Sequence, residues 1–80
     1  MEPLHEALRL IKRQTELENA MRRPGGIRII EERELFRLRS TLTQYPAAVS
    51  AIMDTASRMR KPVGSLSAAD LEYLTISSTH

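Results

Sequence analysis

Apolar residues recur at alternating spacings of three and four positions through the middle of the chain, from Leu35 to Val63. The residues of this central stripe are Leu35, Leu38, Leu42, Tyr45, Val49, Ile52, Ala56, Met59 and Val63. Such a period is typical of helices that lay one apolar face against a neighbour. The central stripe therefore predicts helical structure and an apolar surface that is too long for so small a chain to cover unaided, so that a second chain is expected to cover part of it.

A second amphipathic pattern predicts a long N-terminal helix from about Pro3 to Arg22. Proline is favoured at a first helical position, and the glycines after Pro24 are expected to cap and end the helix. Glu18 is spaced to form an ion pair with Arg22. The apolar residues make two adjacent rows, wide enough to contact two neighbours. The rows are Leu4, Leu8 and Ile11 beside Leu10, Leu17 and Met21.

Two features make the next part of the chain ambiguous. The β-branched run from Ile27 to Ile30 is compatible with a short strand, but no second strand is predicted to pair with it. We therefore assign Ile27–Thr43 to a second helix. Proline costs about 3 kcal/mol inside a helix and little at its first position. We predict a break near Thr43–Tyr45 and a third helix from Pro46 to about Lys61, with one long kinked helix as the alternative.

The last part of the chain carries a clear helix start. Ser67 and Asp70 form an Asp variant of the capping box, and Leu66 and Leu71 occupy the two positions of a hydrophobic staple. A short helix is expected from about Ala68 to Leu74.

Together these elements predict an all-α fold, a small bundle of three to four helices with a hairpin or kink at Pro46. We assign residues 1–76 to one helical domain and residues 77–80 to a frayed tail.

Composition bears on stability and location. A chain of 80 residues buries a modest share of its surface, and it contains no cysteine that could form a disulfide. Self-association or a partner is therefore expected to supply further buried area. No apolar run reaches the roughly 18 residues of a membrane span. The N-terminus is acidic, unlike a secretory signal, and we predict a cytoplasmic protein.

Candidate chemistry is sparse. His5 and His80 stand near opposite ends of the chain, so we predict no metal site and no cofactor. Adjacent residues on a helix point in different directions, so we do not expect Glu31, Glu32 and Glu34 to converge on one substrate. No histidine lies near a serine in sequence to activate it. We predict that the protein is not an enzyme.

Nucleic-acid binding is an alternative, because helices flanking a tight turn could form a helix-turn-helix motif. Its reading positions would fall at Pro46–Ser50, which offer few hydrogen-bond donors. The net charge of +2 is also weak for a phosphate-binding surface. The candidate contacts to an anion or nucleic acid are Arg22, Arg23, Arg58, Arg60 and Lys61.

The leading hypothesis is a small, non-catalytic adaptor or regulator that acts through helix-mediated protein–protein contacts as a homodimer. Leu10, Phe36 and Met53 lie just off the main apolar stripes and are the expected partner-binding residues. Besides the DNA-binding regulator, a small helical enzyme with an active site at a subunit interface is a second alternative.

Overall fold

The computed structural model describes residues 3–72. In chain order they form α1 (Leu4–Met21), α2 (Ile29–Leu42), α3 (Pro46–Met59) and a 3-10 turn (Val63–Ser65). Residues 68–72 are again helical. No strand occurs within residues 3–72, so the predicted all-α fold is confirmed for this part of the chain.

The ends of α1 differ from the prediction in detail. Pro3 is the extended residue just before the helix rather than its first helical residue. At the other end, the backbone N–H groups of Arg22 and Arg23 donate to carbonyls three positions back and tighten the last turn. Gly25 and Gly26, with φ of 95° and 63°, form the turn that follows. The glycines therefore allow the change of direction, but they do not cap α1.

Helix α2 begins at Ile29, two residues later than predicted. Arg28 has an extended backbone, and its N–H donates to Glu31 Oε1 at 3.2 Å. This is one half of a capping box, because an arginine side chain offers no acceptor for the reciprocal bond. Ile29 and Ile30 thus lie in the first turn of a helix, as the absence of a partner strand suggested.

The predicted break at Pro46 is confirmed. Helix α2 ends at Leu42, Tyr45 has a non-helical backbone, and Pro46 is the first residue of α3. Helix α3 then stops at Met59, two residues before the predicted end. Arg60 adopts a left-handed conformation, which turns the chain out of the helix.

Both α2 and α3 pack on α1, and among the described elements α2 makes extensive contact with α1 alone. Helix α2 runs antiparallel to α1. Leu35 of α2 lies in one cluster with Leu17 of α1, whereas Leu42, at the end of α2, lies in the other cluster with Ile11, nearer the start of α1. A small core cluster consists of Leu17, Leu35 and Leu38. The main core cluster consists of Ala7, Leu8, Ile11, Leu42, Ala48, Ile52, Ala56, Leu66 and Leu71.

The central stripe is covered within the chain itself. Every residue of the stripe is buried or half-buried, because α2 and α3 both turn it towards α1. This corrects the expectation that the stripe is too long to be covered unaided. The long helix α1 supplies the missing surface, as its two apolar rows allow.

The C-terminal part of the described chain forms the predicted capping box and packs on the core through the two predicted staple leucines. The Ser67 N–H donates to Asp70 Oδ2 at 2.9 Å, the Asp70 N–H donates to Ser67 Oγ at 3.3 Å, and Leu66 and Leu71 are buried. Lys12 Nζ also donates to the Leu66 carbonyl at 2.6 Å. The end of the predicted helix at Leu74 and the tail at 77–80 lie outside the described residues.

The described part of the molecule is elongated, measuring 48 × 25 × 15 Å. In residues 3–72, no helix combines the length and the apolar character that crossing a bilayer requires.

Candidate protein-interaction surface

The side of α2 that faces away from α1 carries an apolar and charged surface. At 100° per residue, Leu35, Leu38 and Leu42 share one side of the helix, and a second set lies opposite them. We call this second set the α2 outer face; it consists of Ile29, Glu32, Arg33, Phe36 and Arg37. Its members surround a shallow depression of about 370 Å³.

The apolar members of the outer face are unusually exposed. Phe36 is 72% exposed and Ile29 is 70% exposed, and Ile30 beside them is 73% exposed. Single exposed apolar residues are common on soluble proteins, whereas a contiguous group of large ones marks an interaction site. Ile29 and Phe36 lie two helical turns apart on one side of α2, and both line the depression.

The charges of the outer face are free to contact another molecule. Glu32, Arg33 and Arg37 have no ion pair or side-chain hydrogen bond to any part of the chain that the structure describes. By contrast, Glu31 caps α2 and Glu34 binds α1. The carboxylates of this stretch thus divide into two that hold the fold and one that faces solvent.

Arg13 and Glu34 hold α2 at a defined position on α1. Arg13 Nε donates to Glu34 Oε2 at 2.7 Å, and a terminal nitrogen donates to Glu34 Oε1 at 3.0 Å. Arg13 also contacts Glu16 at 3.2 Å. The hydrogen bonds from Arg13 lower the pKa of Glu34, and those to Glu34 and Glu16 raise the pKa of Arg13. This two-point contact limits rotation of α2 about its own axis and so keeps the outer face outward.

A second open surface lies where the three helices meet. This groove of about 520 Å³ has Leu42, Pro46 and Val49 among its apolar residues and Arg39 and Ser50 among its polar ones. Met53, predicted as a partner-binding residue, lines it and is 49% exposed. Arg39 is only loosely held, with its guanidinium 4.0 Å from Glu18. Glu18 therefore faces α2 rather than forming the predicted pair with Arg22.

The three predicted partner-binding residues lie in different surroundings. Phe36 belongs to the α2 outer face and Met53 to the groove, whereas Leu10 is half-buried and packs against both core clusters. The structure therefore assigns Leu10 to the core, because α2 and α3 both lean on the part of α1 that carries it. Phe36 and Met53 keep the exposure that a contact surface requires.

The predicted cationic residues lie on separate segments. Arg22 and Arg23 are exposed at the end of α1, and Arg60 is exposed after α3. Arg58 pairs with Asp54 at 3.0 Å and Lys61 with Asp70 at 3.5 Å. The two groups follow different helices, and the ion pairs of Arg58 and Lys61 neutralise part of their charge locally.

The acidic groups with shifted pKa values have structural partners. The Ser67 backbone N–H lowers the pKa of Asp70, and Arg13 lowers that of Glu34. Such shifts mark a functional site only when no structural contact explains them. In the described range, no group of three or more residues capable of binding a metal ion comes together.

The sequence analysis did not name Ile29, Arg33 or Arg37 as partner-binding residues. The signal was present, because Ile29 and Phe36 are spaced by two helical turns and Arg33 lies between them. The apolar period of the central stripe indicates only the opposite side of α2. Arg13 was also missed, since its partner Glu34 is distant in sequence and only the packing of α2 on α1 brings them together.

Comparisons of the chain with models of known protein families, with curated proteins and with solved structures gave no significant match.

Proposed function

We propose that this protein is a small, non-catalytic adaptor or regulator that binds another polypeptide through the α2 outer face. The observation that carries the proposal is the exposure of Ile29 and Phe36 on the side of α2 opposite the core. A helix that presents an apolar group ringed by charged residues has the composition of a protein–protein contact, with an apolar centre and a polar rim.

The attachment of α2 supports the same proposal. The outer face is presented on a helix that is held by the small core cluster and by the Arg13–Glu34 contact. A contact surface on a rigid helix loses less conformational entropy on binding than one on a loop. The unpaired charges of Glu32, Arg33 and Arg37 can then select the partner and its orientation.

The proposal is tested by substituting one residue on each surface and measuring binding in lysate of the source cells by affinity capture with quantitative mass spectrometry. Phe36→Asp places a charge in the centre of the outer face, and we expect it to lose the partners that the wild-type chain retains. Met53→Asp tests the groove independently. Ala47→Asp, at an exposed position in the first turn of α3, is the matched control for adding one acidic residue and should keep those partners.

Circular dichroism of each variant separates loss of binding from loss of structure. Phe36 is mostly exposed, so Phe36→Asp should change the free energy of unfolding by no more than about 0.5 kcal/mol. A Phe36→Asp chain that folds and still binds every partner of the wild type would contradict the proposal. Leu10→Asp is unsuitable as a surface probe, because Leu10 contacts both core clusters and its substitution is expected to unfold the chain.

A further inference from the structure

We propose that the partner of the α2 outer face is an acidic amphipathic helix of another protein, whose carboxylates pair with Arg33 and Arg37. The inference rests on the proposed function and adds the chemical class of the partner. It follows from the charges on and around the face, most of which are cations without a partner in the chain.

The positive charge of the chain is concentrated between residues 19 and 53. This stretch contains six arginines and three glutamates, a net charge of +3, whereas the whole chain carries +2. Two of the three glutamates already have contacts, because Glu31 accepts the Arg28 N–H and Glu34 binds Arg13. Glu32 is therefore the one carboxylate of the stretch that has no ion pair within residues 3–72 and is open to an approaching molecule.

Five of the six arginines are exposed and form no ion pair with any residue that the structure describes. They are Arg22, Arg23, Arg28, Arg33 and Arg37. The first three lie on the turn that leads from α1 into α2, directly before the outer face, and the other two lie on the face itself. Among the remaining arginines of residues 3–72, Arg60 alone is also unpaired. The cations available to a partner are thus concentrated at and beside the outer face.

The charges are placed asymmetrically about the apolar line of the face, which runs from Ile29 to Phe36. At 100° per residue, Arg33 and Arg37 lie about 50° and about 90° to one side of this line. Glu32 lies about 50° to the other side. Arg33 and Arg37 are one turn apart, at a spacing of about 6 Å that two carboxylates four residues apart on a partner helix also have. A helix lying along the apolar line with its acidic side towards these two arginines is therefore complementary to the face.

The apolar residues favour a helix as the partner. The backbone groups in the middle of α2 are bonded within the helix, so the face offers no edge to which an extended strand could add. Ile29 and Phe36 are about 10 Å apart along the axis, which is also the distance between two apolar residues two turns apart on a second helix. A phosphate backbone would use the arginines but leave both apolar residues uncovered, so the face favours a polypeptide over a nucleic acid.

A second copy of this chain lacks the required complementarity on this face. In an antiparallel pair about a twofold axis each residue keeps its own side of the apolar line, so Arg33 meets Arg33 and Glu32 meets Glu32. In a parallel pair Arg33 also meets Arg33. Like charges facing each other oppose association, and we therefore do not assign the homodimer expected from the sequence to this face.

Two designed peptides test the charge of the partner against the full chain. The acidic probe is a helix of about 20 residues with leucines along one side and glutamates flanking them, and the basic probe has lysine in place of each glutamate. Fluorescence anisotropy of the labelled peptides measures the dissociation constants at low and at moderate salt. The acidic probe should bind at least about tenfold more tightly than the basic probe, and added salt should reduce the difference.

Reversing charges on the protein should reverse the preference. The double variant Arg33→Glu, Arg37→Glu should bind the basic probe more tightly than the acidic one. The matched control is Arg9→Glu, Arg60→Glu, which changes the net charge equally at exposed positions off α2 and should keep the wild-type preference. Phe36→Ala removes apolar contact without changing the charge, and it should weaken binding of the acidic probe about tenfold. Circular dichroism of each variant confirms that the helices are intact.

Three results would overturn the inference. Equal affinity for the two probes, or an unchanged preference in the Arg33→Glu, Arg37→Glu variant, excludes pairing of carboxylates with these arginines. Tighter binding of duplex DNA or of phosphatidylserine vesicles than of the acidic probe, lost in the same variant, assigns the arginines to phosphate groups. Self-association in sedimentation equilibrium that Phe36→Ala abolishes assigns the face to a second copy. The proposed function is measured separately, and it fails if Phe36→Asp leaves every captured protein in place.

Discussion

Arg60 shows how one residue determines where a helix ends. It is the only residue other than glycine with a positive φ, 55°, in the described range 3–72. Its N–H donates to the Ser57 carbonyl at 3.2 Å, and the Lys61 N–H donates to the Ala56 carbonyl at 3.1 Å. These two bonds are those of a Schellman motif, in which glycine is the favoured residue at the left-handed position. Arginine there carries a steric penalty from its Cβ.

Replacing Arg60 by glycine should therefore stabilise the protein. We expect Arg60→Gly to raise the free energy of unfolding by about 1 kcal/mol, because the left-handed backbone costs glycine no Cβ clash. Urea denaturation followed by circular dichroism measures the change. Arg60→Ala removes the same charge but retains Cβ, so it should give no comparable gain. Equal stability of the two variants would contradict the conformational explanation.

Helix α2 has two apolar sides, one buried and one exposed. One side carries Leu35 and Leu38 into the small core cluster, and the other presents Ile29 and Phe36 to solvent. The Arg13–Glu34 contact lies beside the buried side and helps to hold that side against α1. A helix with one apolar side would need only its core contacts for this. An additional polar contact is useful here because either side of α2 could in principle pack against α1.

The contact between α1 and α2 predicts a pH dependence of stability. Arg13 lowers the pKa of Glu34 below its ordinary value of 4.5 in the folded protein. The stabilising contribution is therefore complete above that value and is lost as the pH falls through the lower pKa of the folded state. Between neutral pH and pH about 3, the melting temperature of the wild type should fall more than that of Glu34→Gln.

The matched control for this experiment is Glu72→Gln, which removes one exposed carboxylate. Its melting temperature should follow the wild-type pH dependence throughout the titration. Asp70, whose pKa is also lowered, is present in all three proteins and contributes equally to each. Parallel curves for the wild type and Glu34→Gln would show that the Arg13–Glu34 contact adds no stability in solution.

At the scale of the whole molecule, two core clusters lie along one long helix. The small core cluster joins α1 to α2, and the main core cluster joins α1 to α3 and the C-terminal segment. Leu10 and Leu42 link the two regions, the first by packing on both clusters and the second as the end of α2 in the main cluster. Such an extended arrangement favours local opening of one region without the other.

Truncation of one residue in each cluster should reveal this partial independence. Leu17 is 1% exposed and Ile52 is fully buried, so either change to alanine should cost about 2–5 kcal/mol. In hydrogen exchange with mass spectrometry, Leu17→Ala should speed exchange mainly in α2. Ile52→Ala should speed it mainly in α3. Uniform acceleration by both variants would show that the helices unfold as one unit.

The local structure could be predicted from the sequence because its causes are local. Proline at Pro46 separates α2 from α3, the Ser67–Asp70 pair starts the last described helix, and the apolar period defines the buried side of α2 and α3. The errors of one or two residues at helix ends arose where a backbone conformation decided the end, as at Arg60. These features depend on neighbours along the chain, and they hold whatever the helices pack against.

Only the tertiary structure decided which apolar residues stay exposed. Periodicity shows that residues share a side of a helix, but it does not show which neighbour covers that side. The long α1 packs against the central stripe, α2 and α3 in turn cover Leu10 on α1, and Ile29 and Phe36 stay exposed because α1 contacts only one side of α2. The sequence alone therefore determined the helices and, to within two residues, the ends of α1, α2 and α3, whereas the packing of one side of α2 on α1 decided which apolar residues stay exposed.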